Sequence, residues 1–144
     1  MTSHKHIATC LLSLVILLII ALGCGAVSDG RPAAEKAIVQ FHAMLDNEQY
    51  ADIYTGLDPE FKKLATEEEA LKLFQAVHMK LGKVTSSTNQ TWKANATPFG
   101  TTVEMVQDTQ FERGKGAEDF VFFYANKKVS LAGYHINSMD MLTK

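Results

Sequence analysis

Two cysteines, five histidines and four tyrosines are the side chains of this 144-residue chain whose chemistry reaches beyond packing. Cys10 lies inside an apolar run, Cys24 follows that run directly, and no cysteine stands further along. Small exported domains often staple themselves with disulfides, so a domain whose one thiol is Cys24 must use it for something else. His42, His78 and His135 lack the spacing of a metal site, and His4 and His6 precede the apolar run. No metal or cofactor is therefore expected. The chain carries no nucleophile elbow, phosphate-cradling glycine loop or paired-cysteine motif. Asn89-Gln90-Thr91 and Asn95-Ala96-Thr97 have the form of glycosylation sequons, which arise by chance in a strand rich in Thr and Asn.

The first element that positions this chemistry is the N-terminus. A short polar segment with Lys5 is followed by Ile7 to Leu22, almost unbroken in its apolar character, which is the charged-then-apolar order of an export signal. Ala21-Leu22-Gly23-Cys24 then resembles the lipobox of bacterial lipoproteins, in which a small residue precedes a cysteine that takes lipid on sulfur and becomes the new N-terminus. The resemblance implies a signal peptide over residues 1–23, lipid on Cys24, and a domain fixed to a membrane of the bacterial cell envelope, facing the periplasm or the exterior. An uncleaved helix is the alternative, because Ile7 to Ser28 contains no charge and about 20 apolar residues span a bilayer. Either way the chain is anchored at its N-terminus, and two acyl chains hold where one is marginal.

Removing the 23 residues before Cys24 leaves 121, enough for one domain with its own core. Of 14 basic residues only Lys5 is lost, against 16 acidic ones, so the mature charge is near −3, and no basic cluster offers to neutralise phosphates. Nucleic acid is not an expected partner.

After a small, polar linker over residues 24–31, Pro32 suits a first helical turn, and Ala34, Ile38, Phe41 and Leu45 recur at helical spacing up to Asp46-Asn47. Tyr50, Ile53, Tyr54 and Leu57 predict a second short helix. Asp58 caps a third, carrying Phe61 and Leu64. Thr66 and Glu69 fit a capping box, with Leu71, Phe74, Val77, His78 and Leu81 on one face of the helix it opens and Gly82 at its end. The acidic run Glu67-Glu68-Glu69 reads as the first turn of that helix.

From Val84 the pattern turns to β-branched residues and period-two alternation. Residues 84–96 predict a first strand and Thr97-Pro98-Phe99-Gly100 a turn. Val103, Met105 and Phe111 share one face of a second strand, and Arg113-Gly114-Lys115-Gly116 is expected to turn the chain. Phe120, Phe122 and Tyr124 oppose Val121 and Phe123 on a third, Asn126-Lys127 forms a tight hairpin loop, and Val129 to Ile136 complete a fourth. The class is α+β: N-terminal helices packed on a curved four-stranded antiparallel sheet, over residues 32–138, with a tail at 139–144.

Helices first, the helix ending in Leu81-Gly82-Lys83, and a final strand through Leu131-Ala132-Gly133-Tyr134-His135-Ile136 resemble the cystatin-like, nuclear-transport-factor-2-like superfold, and within it small bacterial lipoproteins of unknown function. The resemblance implies a cone whose interior members use for ligands, catalysis or nothing, so fold licenses no activity. Its proton-shuttling enzymes pair an aspartate or histidine base with a tyrosine donor, for which His42, Tyr54 and Tyr134 are the candidate pocket residues here. None completes a family motif, and each also reads as a core or boundary residue whose polar atom finds a partner. The expectation is a non-catalytic module for a small molecule or an envelope protein. The alternative is an isomerase or dehydratase using a cone His or Asp with a tyrosine, and an interaction module would show apolar surface at Val121 and Phe123.

Overall fold

A computed structural model of the protein describes residues 30–143. The signal segment and Cys24 lie outside the described residues. Helix α1 covers residues 30–46. It is followed by α2 (Tyr50–Thr55), α3 (Pro59–Leu64), α4 (Glu67–Leu81), strands β1 (Val84–Thr97), β2 (Gly100–Phe111), β3 (Gly114–Ala125) and β4 (Lys128–Asn137), and a last short helix α5 (Met139–Thr143). The strands form one antiparallel sheet in the order β1-β2-β3-β4. The expected α+β class, helices packed on a four-stranded antiparallel sheet, is what the chain adopts.

The helices form where local chemistry demands them. Ala34, Ile38, Phe41 and Leu45 of α1 are all buried, as are Ala70, Phe74, Val77 and Leu81 of α4, each set at the i, i+4, i+7, i+11 spacing of one stripe. On α4 this puts Ala70 in the core and leaves Leu71 and His78 half-buried at its flank. Both arms of the Thr66–Glu69 capping box are made. The Asp58 carboxylate accepts the Glu60 amide at 2.9 Å, so α3 begins as expected, although its Leu64 points into solvent. Leu57 was expected to extend the second helix. It instead makes a single parallel bridge to Leu131 beside β4, because the chain must already be extended before Pro59.

Inner-face positions follow the pleat. Val103, Met105, Gln107, Thr109 and Phe111 on β2, and Glu118, Phe120 and Phe122 on β3, are buried beneath the helices. The four phenylalanines Phe41, Phe74, Phe120 and Phe122 fill the interior, with Phe41 meeting Phe74 and Phe120 edge-on at centroid separations of 5.6 and 5.3 Å. Each such ring contributes about 1.5–3 kcal/mol by leaving water. Register shifts at Asn89/Thr91 on β1 and at Val121/Phe122 opposite β4 bend the sheet.

The second turn lies two residues earlier than the glycines suggested. Phe111 pairs with Gly114, so Glu112-Arg113 make the turn while Lys115 and Gly116 already belong to β3. Arg113 explains the placement: its guanidinium donates to the carbonyls of His78 and Met79 at 2.9 and 2.7 Å, closing the C-terminus of α4 where the helix dipole favours a cation. At the opposite end of the sheet, Pro98-Phe99 and Asn126-Lys127 form two-residue turns. Asn126 and Lys127 both have positive φ, 52° and 60°, as a type I′ hairpin requires.

Candidate functional site

Beneath α1 the sheet carries a polar belt within an apolar interior. On β3 the parity that buries Phe120 and Phe122 also turns Glu118 inward, and this glutamate is wholly buried, at 0% exposure. Its Oε2 takes His42 Nε2 from α1 at 2.8 Å and the Thr109 hydroxyl from β2. Its Oε1 accepts the Tyr134 hydroxyl from β4 at 2.7 Å. Ser87 of β1 completes the row, its Oγ 3.1 Å from Thr109 Oγ1 and 3.3 Å from Gln107 Oε1. The belt proper is thus Ser87, Thr109, Glu118 and Tyr134, one from each strand, with the His42 imidazole from α1, and Gln107 flanks it on β2.

Strand register explains the convergence. Ser87 stands directly opposite Thr109, while Thr109 and Tyr134 flank Glu118 on diagonals, Gln107 and Ile136 being its direct partners. Across from Thr109 stands Gly116, where a Cβ would press on the Ile136 side chain at 3.1 Å. On α1, His42 follows Phe41 and lies one turn beyond Ile38, which brings it to the edge of the buried stripe.

The Thr109 and Tyr134 hydroxyls donate to this carboxylate, and an ionised carboxylate, which only accepts, takes the His42 Nε2–H as its third donor. Burying that charge is costly unless both oxygens are satisfied, and here both are. Burial, then the negative charge of Glu118, then the hydrogen bond to it push the Tyr134 phenol well above its ordinary value, so it remains a donor. Rings close the surroundings. Phe120 meets His42 edge-on at 5.9 Å, and Phe41 and Phe120 lie 4.9 and 5.1 Å from Tyr134.

Imidazole, carboxylate and phenol are the parts of an acid-base site, and their spacing suits proton transfer. Access does not: Glu118 has no exposed surface, and each of its oxygens is already bonded. Two of the three candidate pocket residues, His42 and Tyr134, are thus joined through a group that sequence reasoning passed over. The third, Tyr54, lies on α2 beneath the Lys62 ammonium, 5.2 Å from its ring centre, and takes no part in the belt. Glu118 had a signal, its even-numbered parity with Phe120 and Phe122. A charge in that register contradicts the rule for a core, so only the partners reveal why it is there. His78 pairs with Tyr50, Nδ1 to hydroxyl, at 3.0 Å. Among the described residues no group of three or more His, Cys, Asp or Glu is placed to hold a metal ion.

More open surfaces lie elsewhere. On the outer face of the sheet a groove of about 440 Å³ is lined by Val121, Phe123, Thr102, Ala132 and Pro59, with Asp58 and Glu60 at its edge. Val121 and Phe123 are half-buried there. A second, of about 340 Å³, runs between α4, α5 and the end of β4, with Tyr134 in its wall.

Fold and belt together define an α+β domain whose first helix is bound to its sheet by a buried carboxylate network. The chain belongs to the family described as a protein of unknown function (DUF4019), whose model matches residues 37–134, more than half of the chain and all five members of the belt. No curated protein matches it.

Proposed function

We infer that the protein is an envelope lipoprotein, held to a membrane through lipid on Cys24, whose cystatin-like or nuclear-transport-factor-2-like domain binds a small molecule or a protein and catalyses nothing. The observation carrying the non-catalytic part is the closure of Glu118, whose oxygens are taken by His42, Thr109 and Tyr134 at zero exposure. A base that no substrate can touch holds structure together instead. The first helix lying over a bulged antiparallel sheet supports the superfold. The groove at Val121 and Phe123 is the surface that suits binding, being partly apolar, with the Thr102 side chain in its lining.

The second reading, an isomerase or dehydratase, draws on the same belt, because His42 and Tyr134 converge on one carboxylate. Amide shift mapping with a fragment library separates the two. Binding at the outer face moves residues 102, 121, 123 and 132; shifts confined to residues 42, 118 and 134 would overturn it in favour of the enzyme. The anchor is tested by expressing Cys24→Ser in a bacterium and following precursor size and membrane partition. Lipidation requires the variant to remain unprocessed, and a variant still cleaved and membrane-bound would sink it.

A further inference from the structure

Three features of the fold meet at one end of the sheet. Thr97 pairs with Gly100 across the Pro98-Phe99 turn, Thr101 pairs with Tyr124, and Ala125 pairs with Lys128 across the Asn126-Lys127 turn. Both hairpin tips therefore lie side by side, close enough that a Cβ on Gly100 would meet the Tyr124 carbonyl oxygen at 2.8 Å. The start of α1 is at the same end: a Cβ on Gly30 would touch Val103, Thr101 and Tyr124 side chains at 3.2 to 3.8 Å. The other end of the sheet holds the Glu112-Arg113 turn and the close of α1, where Asp46 accepts the Val84 amide. The tether thus enters the domain at the two tips.

Those tips carry exposed apolar and cationic side chains. Phe99 is 87% exposed at the apex of its turn. Lys127 and Lys128 are exposed, and neither forms an ion pair among the described residues. Lys127 holds a left-handed conformation, φ 60°, where a turn of this type would more easily take glycine. Acidic groups on the flanking helix and strand are already matched: Glu35 with Arg31 at 2.8 Å, and Glu104 with Lys93 at 2.9 Å. Six residue steps separate Cys24 from Gly30, so a lipid on Cys24 holds Gly30 within roughly 20 Å of the bilayer even at full extension.

We propose that this end of the domain docks on an anionic bilayer, with Phe99 entering the interfacial region and Lys127 and Lys128 against the headgroups. The proposal rests on the N-terminal tether. An aromatic ring partitions favourably into the interface, and lysines near an anionic leaflet add an attraction that salt screens. The tether makes both contacts effectively intramolecular, so side chains too weak to recruit a soluble protein suffice to orient an attached one. Docking fixes the sheet end-on to the membrane and leaves the Glu112-Arg113 end directed away from it.

The test uses the full chain reconstituted into vesicles of phosphatidylcholine with or without phosphatidylglycerol. In Trp92→Phe/Phe99→Trp, which moves the single tryptophan to the tip, docking predicts blue-shifted emission and strong quenching by brominated lipid in anionic vesicles, reduced in neutral ones and at high salt. Adding Lys127→Asn/Lys128→Gln, which removes charge but tolerates the turn, lowers the docked-to-undocked ratio roughly tenfold. Hydrogen exchange of residues 97–101 and 125–129 in the wild-type chain gives the same reading should the tryptophan variant not fold, slowed at least several-fold on anionic vesicles. A chain that floats with the vesicles but leaves position 99 unquenched and the tip amides unprotected overturns the docking alone. One that does not float loses the tether, and the docking with it.

Discussion

His42 Nε2 lies 2.8 Å from Glu118 Oε2, a contact between residues 76 positions apart that binds α1 to the third strand of the sheet. Both groups are out of solvent. The same carboxylate ties β2 through Thr109 and β4 through Tyr134, so one side chain links the helix to three strands.

If this belt is the clamp, Glu118→Gln and His42→Ala each lower unfolding free energy by about 2–4 kcal/mol, since each leaves buried polar groups without a charged partner. Urea midpoints at unchanged slope read the loss, and a double-mutant cycle shows the two residues coupled. Losses of under about 0.5 kcal/mol in both would show that other contacts hold α1 in place.

Tyr134 makes stability depend on alkaline pH. With its folded value raised well above 10.0, the unfolded chain releases the phenolic proton first. The contribution is therefore complete below about pH 10 and falls as pH rises toward the folded value, by up to about 1.4 kcal/mol per pH unit. Tyr50 is raised as well, by burial and the nearby Glu48, and adds its own share. Tyr134→Phe should flatten the decline between about pH 9 and about pH 11 without abolishing it. Parallel slopes in variant and wild type would show that this phenol ionises equally in both states.

Asp58 does two tasks at the edge of β4. Its Oδ1 caps α3 through the Glu60 amide, and its Oδ2 accepts the Ser130 hydroxyl at 2.6 Å. Asp58→Ala removes both and should cost about 2–3 kcal/mol, whereas Ser130→Ala removes one and should cost about 1 kcal/mol. Thermal midpoints rank the two, and equal shifts would mean that the cap carries no weight.

Two glycines should respond in opposite directions. A Cβ at Gly100 would meet the Phe123 ring at 2.5 Å on a backbone of φ 155°, so Gly100→Ala must distort the hairpin, at about 2 kcal/mol or more. Gly56 has φ −80°, and its nearest neighbour would be 3.6 Å away. Gly56→Ala is then neutral or stabilising by up to about 1 kcal/mol, because it restricts the unfolded chain. Calorimetry of the pair checks the contrast.

Local chemistry alone settled much of this protein. The Thr66–Glu69 box, the Asp58 cap, the stripe from Ala34 to Leu45 and the Asn126-Lys127 hairpin were legible because each depends on neighbours within a few residues. So was the α+β class, since a change of hydrophobic period along the chain is itself a sequence property. The second turn was misplaced by two residues because its position depends on Arg113 reaching α4, more than 30 residues earlier. Glu118 shows the same limit more strongly. Its alternation pointed inward while its charge pointed outward, and the energy that resolves the conflict comes from His42, Thr109 and Tyr134 on three other elements. Whether a buried carboxylate costs several kcal/mol or binds a helix to a sheet depends on donors that only the folded chain brings together.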